Sequence, residues 1–243
     1  MSVLRSPFLF ALLRQILAGA AGVLLIFSFA PYGFSLVCVA GLAFLFYLVL
    51  RCRTIRQSAL TGLVFGTGWL TAGVYWLYFS MHQFGGLPAA LALLALLLLG
   101  TFMGMIPAAA VAFAALIRER AKMADEWIAL LILPSLWTLS EWLRGWLLTG
   151  FPWVTTGYAH TDSVLAGYAP VLGVYGISWC NAFLAGSLVV LLNRRYRHRK
   201  KVLALVAFCV AVGYCLKPLE WTQAAGNPIQ VRLLQGNVPQ EIK

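Results

Sequence analysis

The sequence is dominated by long apolar segments that alternate with short clusters of arginine and lysine. Crossing the hydrocarbon core of a membrane as a helix takes about 20 apolar residues, and seven segments approach or exceed that length. These predicted spans are residues 8–29, 34–50, 59–79, 89–117, 127–148, 164–192 and 202–216. Because 62% of the residues are hydrophobic and only 10% are charged, the soluble globular classes are excluded. We therefore predict an all-α, polytopic membrane helix bundle with seven transmembrane helices.

The basic residues lie on one side of this predicted bundle. Three clusters, at residues 51–56, 118–122 and 194–201, follow the second, fourth and sixth spans. Cytoplasmic loops of membrane proteins carry an excess of lysine and arginine, so we predict a cytoplasmic N-terminus and a periplasmic C-terminal tail. The same clustering explains the net charge of +11 without a nucleic-acid partner.

Glycines indicate how two of the spans pack. In the third span, four glycines between residues 62 and 73 predict close approach to neighbouring helices. The sixth span is long enough to tilt, or to break near Gly173 or Gly176.

The fifth span carries a carboxylate and a guanidinium, Glu141 and Arg144. Their spacing of three residues places them on one face of a helix, near the outer end of the span. Inserting an ionisable side chain near the centre of a membrane helix costs a free energy of roughly 2.5–3.5 kcal/mol. Two such side chains within one predicted span therefore need a structural or functional reason. Two interpretations are open: the side chains pair and reach the outer membrane surface as an anchor, or they bind a substrate.

Other reactive side chains do not form a recognisable site. His82 and His160 are too few and too far apart to indicate a metal, and the five cysteines lack metal-ligand spacing. We therefore predict no metal and no cofactor. Cys215, Lys217 and Glu220 have the side-chain types of an activated thiol, but nothing in the sequence orients them, so they are not assigned a catalytic role.

The C-terminal tail, residues 218–243, has a different pattern. Residues 229–236 alternate apolar and polar side chains as a half-buried β-strand does, and turn-forming residues bound this segment at both ends. A lone strand has no partner for its backbone hydrogen bonds. We therefore divide the chain into a transmembrane helical domain, residues 1–217, and an extracytoplasmic tail whose orphan strand opens a soluble domain that the chain does not contain.

Several motifs, in order along the chain, give it a resemblance to the membrane domain of bacterial apolipoprotein N-acyltransferases. They are residues 29–32 (FAPY), Trp76 with residues 84–88 (FGGLP), residues 141–145 (EWLRG) with 149–153 (TGFPW), residues 169–176 (APVLGVYG) and residues 231–240 (VRLLQGNVPQ). The resemblance covers essentially the whole chain.

The resemblance implies an enzyme of the bacterial inner membrane. Members of the family transfer an acyl chain from a phospholipid to the N-terminal S-diacylglyceryl-cysteine of a lipoprotein, through a thioester on a catalytic cysteine. That cysteine, with a glutamate and a lysine, belongs to a nitrilase-like domain between the seventh and eighth spans. This sequence stops at the first strand of that domain, so no residue matches the triad and no catalytic residue is assigned. The chain alone is predicted to be inactive.

The resemblance also implies a phospholipid acyl donor, a diacylglyceryl-lipoprotein acceptor and the membrane as partners. At the outer end of the bundle, Arg144 would then hold a phosphate, and Glu141 would orient Arg144. Trp76, Phe151 and Trp153 would line an acyl groove. For each of these residues the alternative is an interface anchor or a packing role.

A membrane bundle of this kind could also have one of two other functions. The alternative to an acyltransferase is a stand-alone membrane module that binds lipid or recruits a partner. A small transporter is disfavoured, because transporters carry ionisable groups near the midplane and repeated, interrupted helices, whereas the charges here lie at the ends of the spans.

Overall fold

The computed structural model describes residues 7–237. Within this range the chain is helical and contains no β-strand, in agreement with the predicted all-α class. Seven of its helices have 12 residues or more. They are α1 (Pro7–Leu24), α2 (Ser35–Arg51), α3 (Ile55–Gly73), α4 (Ala89–Arg120), α5 (Leu133–Arg144), α6 (Ala169–Leu192) and α7 (Arg199–Leu216).

The helices have the length and composition of a membrane protein. Three segments, Leu9–Ser28, Ala89–Arg120 and Val164–Leu192, are long and apolar enough to cross a membrane, and Ser35–Arg51 is a shorter apolar helix. The remaining helices, α3, α5 and α7, are shorter or less apolar. The membrane character of the bundle is therefore confirmed, and the number of seven spans stays a prediction.

Successive helices run in alternating directions, so the connections gather at two ends of the bundle. The basic end comprises the connections from α2 to α3, from α4 to α5 and from α6 to α7. The guanidinium of Arg118 joins two of them, because it donates hydrogen bonds to the carbonyl oxygens of Leu50 (2.9 Å) and Cys52 (2.8 Å). The loop end comprises the connections from α1 to α2, from α3 to α4 and from α5 to α6. There the rings of Trp76 and Trp153 pack with centroids 5.9 Å apart.

Helix α3 packs tightly against α1 and α4 through glycines. A Cβ atom added to Gly66 of α3 would lie 3.0 Å from the Cα of Gly104 and 3.0 Å from the Cγ of Pro107, both on α4. On the opposite side, Gly22 of α1 lies directly against the backbone of Phe65. Small residues allow helix backbones to approach each other in this way, so the close packing predicted for the third span is confirmed.

The fifth predicted span ends earlier than its apolar pattern indicates. A short helix, Asp125–Trp127, and a π-helical turn, Ile128–Ile132, lead into α5, which ends at Arg144. Beyond it, Leu148 has φ 51° and Gly150 has φ 87°, and backbone in the left-handed region stops a helix. The last four residues of the predicted span therefore belong to a turn at the loop end.

The sixth predicted span is broken. A 3₁₀ turn, Val164–Tyr168, precedes α6, and within α6 the backbone of Gly173 has φ 64° and ψ −173°. Glycine reaches this conformation without the steric cost that a Cβ atom imposes. Of the alternatives left open for the sixth span, a tilt or a break near Gly173 or Gly176, the structure has the break, at Gly173.

The predicted β-strand in the tail is not formed in the described residues. After α7 the chain has no regular helix or strand up to residue 237, and Leu233 and Leu234 are 92% and 95% exposed. A strand is stable only beside other strands or on a covering element, and the described residues provide neither. Residues 238–240, which end the last motif, lie outside the described range.

Candidate functional site

Arg144, the last residue of α5, is buried and holds the segment that follows its own helix. Its Nη1 atom donates hydrogen bonds to the carbonyl oxygens of Phe151 (2.7 Å) and Trp153 (2.6 Å), and its Nη2 atom donates to Thr155 Oγ1 (3.4 Å). The guanidinium also lies over the ring of Trp69, with Cζ 5.2 Å from the centroid. A rigid fork of N–H donors is suited to binding several acceptors at once. Arg144 therefore fixes the path of residues 149–155, here called the aromatic loop.

Glu141, one turn before Arg144, holds the residue that follows the aromatic loop. Its Oε1 atom accepts a hydrogen bond from the backbone N–H of Thr156 (2.8 Å), and the indole of Trp137 donates to Thr156 Oγ1 (3.4 Å). The other carboxylate oxygen, Oε2, is buried and has no hydrogen-bond partner in the described part of the chain.

The two charged residues do not form the surface anchor that one interpretation required. Each is only 1% exposed, so neither side chain reaches the membrane surface. Among the described residues they make no direct salt bridge with each other. Instead they bind consecutive residues, Thr155 and Thr156. Glu141 and Arg144 thus act together on one segment of backbone.

A second set of buried polar side chains, which the sequence analysis missed, continues from this segment into α6. The imidazole of His160 lies between Asn181 Oδ1, 2.9 Å from Nε2, and Ser163 Oγ, 3.0 Å from Nδ1. The amide of Asn181 donates to Cys38 Sγ on α2 at 3.3 Å. This chain of contacts ties the connection between α5 and α6 to two helices of the core.

Ser178 extends this set, because it accepts a hydrogen bond from the backbone N–H of Gly157 at 2.9 Å. Ser178 and Asn181 are three residues apart on α6, the same spacing as Glu141 and Arg144. A polar pair at that spacing inside an apolar span was the signal in the sequence that could have identified them.

His160 lies outside the predicted spans and is 2% exposed. Burial lowers the pKa of its imidazole below the usual value, and the hydrogen bond with Asn181 opposes that shift in part. The side chain is therefore neutral at pH 7, when it can donate from one ring nitrogen and accept at the other.

The three aromatic residues predicted to bind lipid come together at the loop end. The ring centroid of Trp153 lies 5.9 Å from that of Trp76 and 6.5 Å from that of Phe151, both in edge-to-face geometry. Trp76 and Trp153 are 43% and 54% exposed, whereas Phe151 is half-buried. The cluster therefore presents two indole rings on the surface and anchors them through a third ring.

A groove of about 530 Å³ opens beside Trp153. Its walls include Phe29 and Ala30 from the connection after α1, and Pro152, Trp153 and Tyr158 from the connection after α5. Two separate sequence motifs, FAPY and TGFPW, thus meet on one surface. The groove offers apolar and aromatic contacts to an acyl chain, and the phenolic hydroxyl of Tyr158 can form a hydrogen bond with a polar atom of a ligand.

The charged side chains of Glu141 and Arg144 lie beneath this aromatic surface and are not exposed on it. A phosphate that reached the guanidinium of Arg144 would have to displace its hydrogen bonds to the aromatic loop. Backbone carbonyl groups, and not Glu141, orient Arg144 directly. The five predicted residues are therefore brought to one place, with Trp76, Phe151 and Trp153 forming the surface and the two charged residues supporting it.

Comparison with known proteins gives a consistent result. Residues 21–187 match the family model described as the apolipoprotein N-acyltransferase N-terminal domain. The chain is 44% identical over 227 residues to an apolipoprotein N-acyltransferase of Ralstonia nicotianae, 44% identical over 231 residues to one of Nitrosomonas europaea, and 40% identical over 233 residues to one of Methylococcus capsulatus. These matches cover 93%, 95% and 94% of this chain, but only 43%, 45% and 45% of the relatives. The chain thus spans less than half the length of the curated relatives that it matches.

Proposed function

Because the chain belongs to the apolipoprotein N-acyltransferase family, we propose that it forms the membrane part of an acyltransferase of lipoprotein maturation. The enzyme would move an acyl chain from a phospholipid to the N-terminal S-diacylglyceryl-cysteine of a lipoprotein. Within that reaction, this chain binds the lipid substrates at the loop end. We assign the covalent chemistry to a further part of the enzyme, which would correspond to the length of the relatives that this chain does not match.

The observation that carries this proposal is the aromatic cluster beside the groove. Two exposed indole rings, Trp76 and Trp153, stand at one end of a membrane bundle, next to an apolar groove of about 530 Å³. Aromatic rings bury a large apolar area with few rotatable bonds, which suits them to hold an acyl chain. Phe151 extends the same surface along the aromatic loop.

Glu141 and Arg144 contribute to substrate binding by holding the aromatic loop in place. Their hydrogen bonds run to the backbone of Phe151, Trp153 and Thr156. Because the positions of the exposed rings depend on that backbone, loss of either charged side chain is expected to disturb lipid binding without removing a lipid contact.

The proposed topology has seven spans, α1 to α7, within a membrane domain of residues 1–217. The connections of the basic end carry clustered arginines and lysines, so the positive-inside rule supports a cytoplasmic basic end and a cytoplasmic N-terminus. The loop end and residues 218–243 then face the periplasm of an inner membrane.

A complementation experiment tests the proposed function. This chain would be joined to the unmatched C-terminal part of the Ralstonia nicotianae relative and expressed in cells depleted of their own apolipoprotein N-acyltransferase. We expect the chimera to restore growth and N-acylation of a lipoprotein, measured by mass spectrometry of its N-terminus.

The matched control is a chimera in which the corresponding half of the Nitrosomonas europaea relative replaces this chain. If that control restores growth while the chimera with this chain inserts in the membrane and does not, the acyltransferase role is wrong. A lipid-binding or partner-recruiting module would then be the better description of this chain.

A further inference from the structure

A second groove, distant from the candidate site, lies between α2 and α6 at the basic end. It has a volume of about 480 Å³, within the range of roughly 300–1,000 Å³ typical of small-ligand sites. Its inner wall is apolar and includes Ala43 and Phe44 of α2 and Leu188 of α6. Leu192, which also lines the groove, is 75% exposed, so the groove is open at the surface of the bundle.

Two arginines stand at the mouth of this groove, one from each helix. Arg51 ends α2 and Arg194 follows α6. The guanidinium of Arg51 lies over the ring of Tyr47, with Cζ 5.2 Å from the centroid. This contact with an aromatic face holds the charge at the groove.

Neither arginine is neutralised within the described part of the chain. Arg51 and Arg194 are exposed and make no salt bridge with a described residue. Two acidic residues of the same end are engaged elsewhere: Asp125 lies 3.9 Å from Arg118, and Glu126 accepts a hydrogen bond from the backbone N–H of Arg197 at 3.0 Å. One end of an apolar groove thus carries two exposed arginines that make no salt bridge with a described residue.

We propose that this groove binds an anionic phospholipid of the surrounding membrane. One acyl chain lies along the apolar wall between α2 and α6, and the phosphate group lies between Arg51 and Arg194. Basic pockets between transmembrane helices bind anionic headgroups in this way, and each basic residue near such lipids contributes about 1 kcal/mol, roughly a fivefold gain in affinity. The bound lipid would fill the gap between two helices that both contribute to the polar network beneath the candidate site, α2 through Cys38 and α6 through Asn181.

The site is tested with this chain, purified in a neutral detergent and titrated with phosphatidylglycerol or with phosphatidylcholine of the same acyl chains. Native mass spectrometry counts the lipids bound. We expect one phosphatidylglycerol to bind in preference to phosphatidylcholine. Substituting both arginines (R51Q with R194Q) should weaken that binding by roughly tenfold or more, because two charges of about fivefold each are removed.

The matched control removes two neighbouring arginines that do not line the groove, R53Q with R195Q. Equal loss of binding in this control would show diffuse attraction to the basic end and would overturn the proposal. A second variant, Ala40→Trp, fills the groove while keeping every charge, and it should also weaken phosphatidylglycerol binding. Unchanged binding in that variant, or equally tight binding of soluble glycerol phosphate, would contradict a lipid site.

Discussion

The guanidinium of Arg144 lies 2.6 Å from the carbonyl oxygen of Trp153, nine residues further along the chain. A buried charge at the end of a helix thus determines where an exposed indole ring stands. The lipid-binding surface proposed for this chain is therefore set by a contact that a lipid does not itself touch.

Replacing Arg144 should destabilise the aromatic loop even when positive charge is kept. In Arg144→Lys, a single ammonium group cannot reproduce the fork that binds Phe151, Trp153 and Thr155, and each acceptor left unpaired away from water costs about 1–3 kcal/mol. We expect a lower thermal unfolding temperature in detergent and faster proteolysis within the aromatic loop. Arg53→Lys, at an exposed position, is the control, and an equal effect in both variants would contradict this role for Arg144.

Removing the exposed indoles should reduce contact with lipid at the loop end. With a phospholipid that carries a photoreactive acyl chain, we expect Trp76→Ala and Trp153→Ala each to lower crosslinking to the loop end several-fold, because each variant removes an exposed ring of the cluster beside the groove. Trp221→Ala removes an indole of similar exposure, 50%, in the tail. A comparable drop in that control would mean that the labelling reports general membrane contact.

The glycine contact between α3 and α4 should not tolerate a larger side chain. In Gly66→Val the new atoms would meet the backbone of Gly104 and the ring of Pro107, and overpacking of this kind costs about 1–3 kcal/mol. Thermal unfolding in detergent measures the loss. Ala109→Val, at an exposed position on α4, should unfold near the temperature of the unchanged chain; if both variants unfold alike, the close contact is not important for stability.

Stability should fall in mild acid because of His160. Burial lowers the pKa of the folded imidazole, so the unfolded chain takes up its proton first, at a pKa of about 6.5. The contribution of neutral His160 to the free energy of unfolding is therefore fully present above that pH, and it is lost progressively as the pH falls below it. We expect the unfolding temperature to drop between pH 7.5 and pH 5.5, and His160→Gln, which keeps a donor and an acceptor, to drop less. Equal slopes in the two proteins would rule out His160 as the cause.

Local patterns in the sequence predicted the parts of the fold that depend on local physics. Apolar length indicated the membrane helices, and the glycine-rich third span and Gly173 marked a close contact and a break. The aromatic residues of the loop end were correctly predicted to lie together, because they stand next to span ends on the same side of the predicted bundle. The end of α5 was placed too late, since Leu148 is apolar and its left-handed backbone leaves no trace in hydropathy.

The spacing of Ser178 and Asn181 marks two members of the polar network, but the contacts of the network could not be predicted, because most of the partners are far apart in the sequence. Cys38 and Asn181 are separated by 143 positions, and His160 and Asn181 by 21. Only the packing of α2 against α6 brings them into contact. The tail strand was expected from an alternating pattern, but a strand depends on a neighbour that the pattern does not specify.

The broken backbone at Gly173 separates the turn before α6 and the first turn of α6 from the main part of that helix. The turn before α6 packs on α7, where Tyr168 donates a hydrogen bond to the carbonyl oxygen of Cys209 at 2.7 Å, whereas Ser178 and Asn181 beyond the break join the buried network. Residues on both sides of the break, Tyr168 before it and Cys180 beyond it, pack in one hydrophobic cluster with Cys209 of α7. A kink at one glycine thus lets a single segment of chain both cover α7 and supply the buried polar network that supports the aromatic loop.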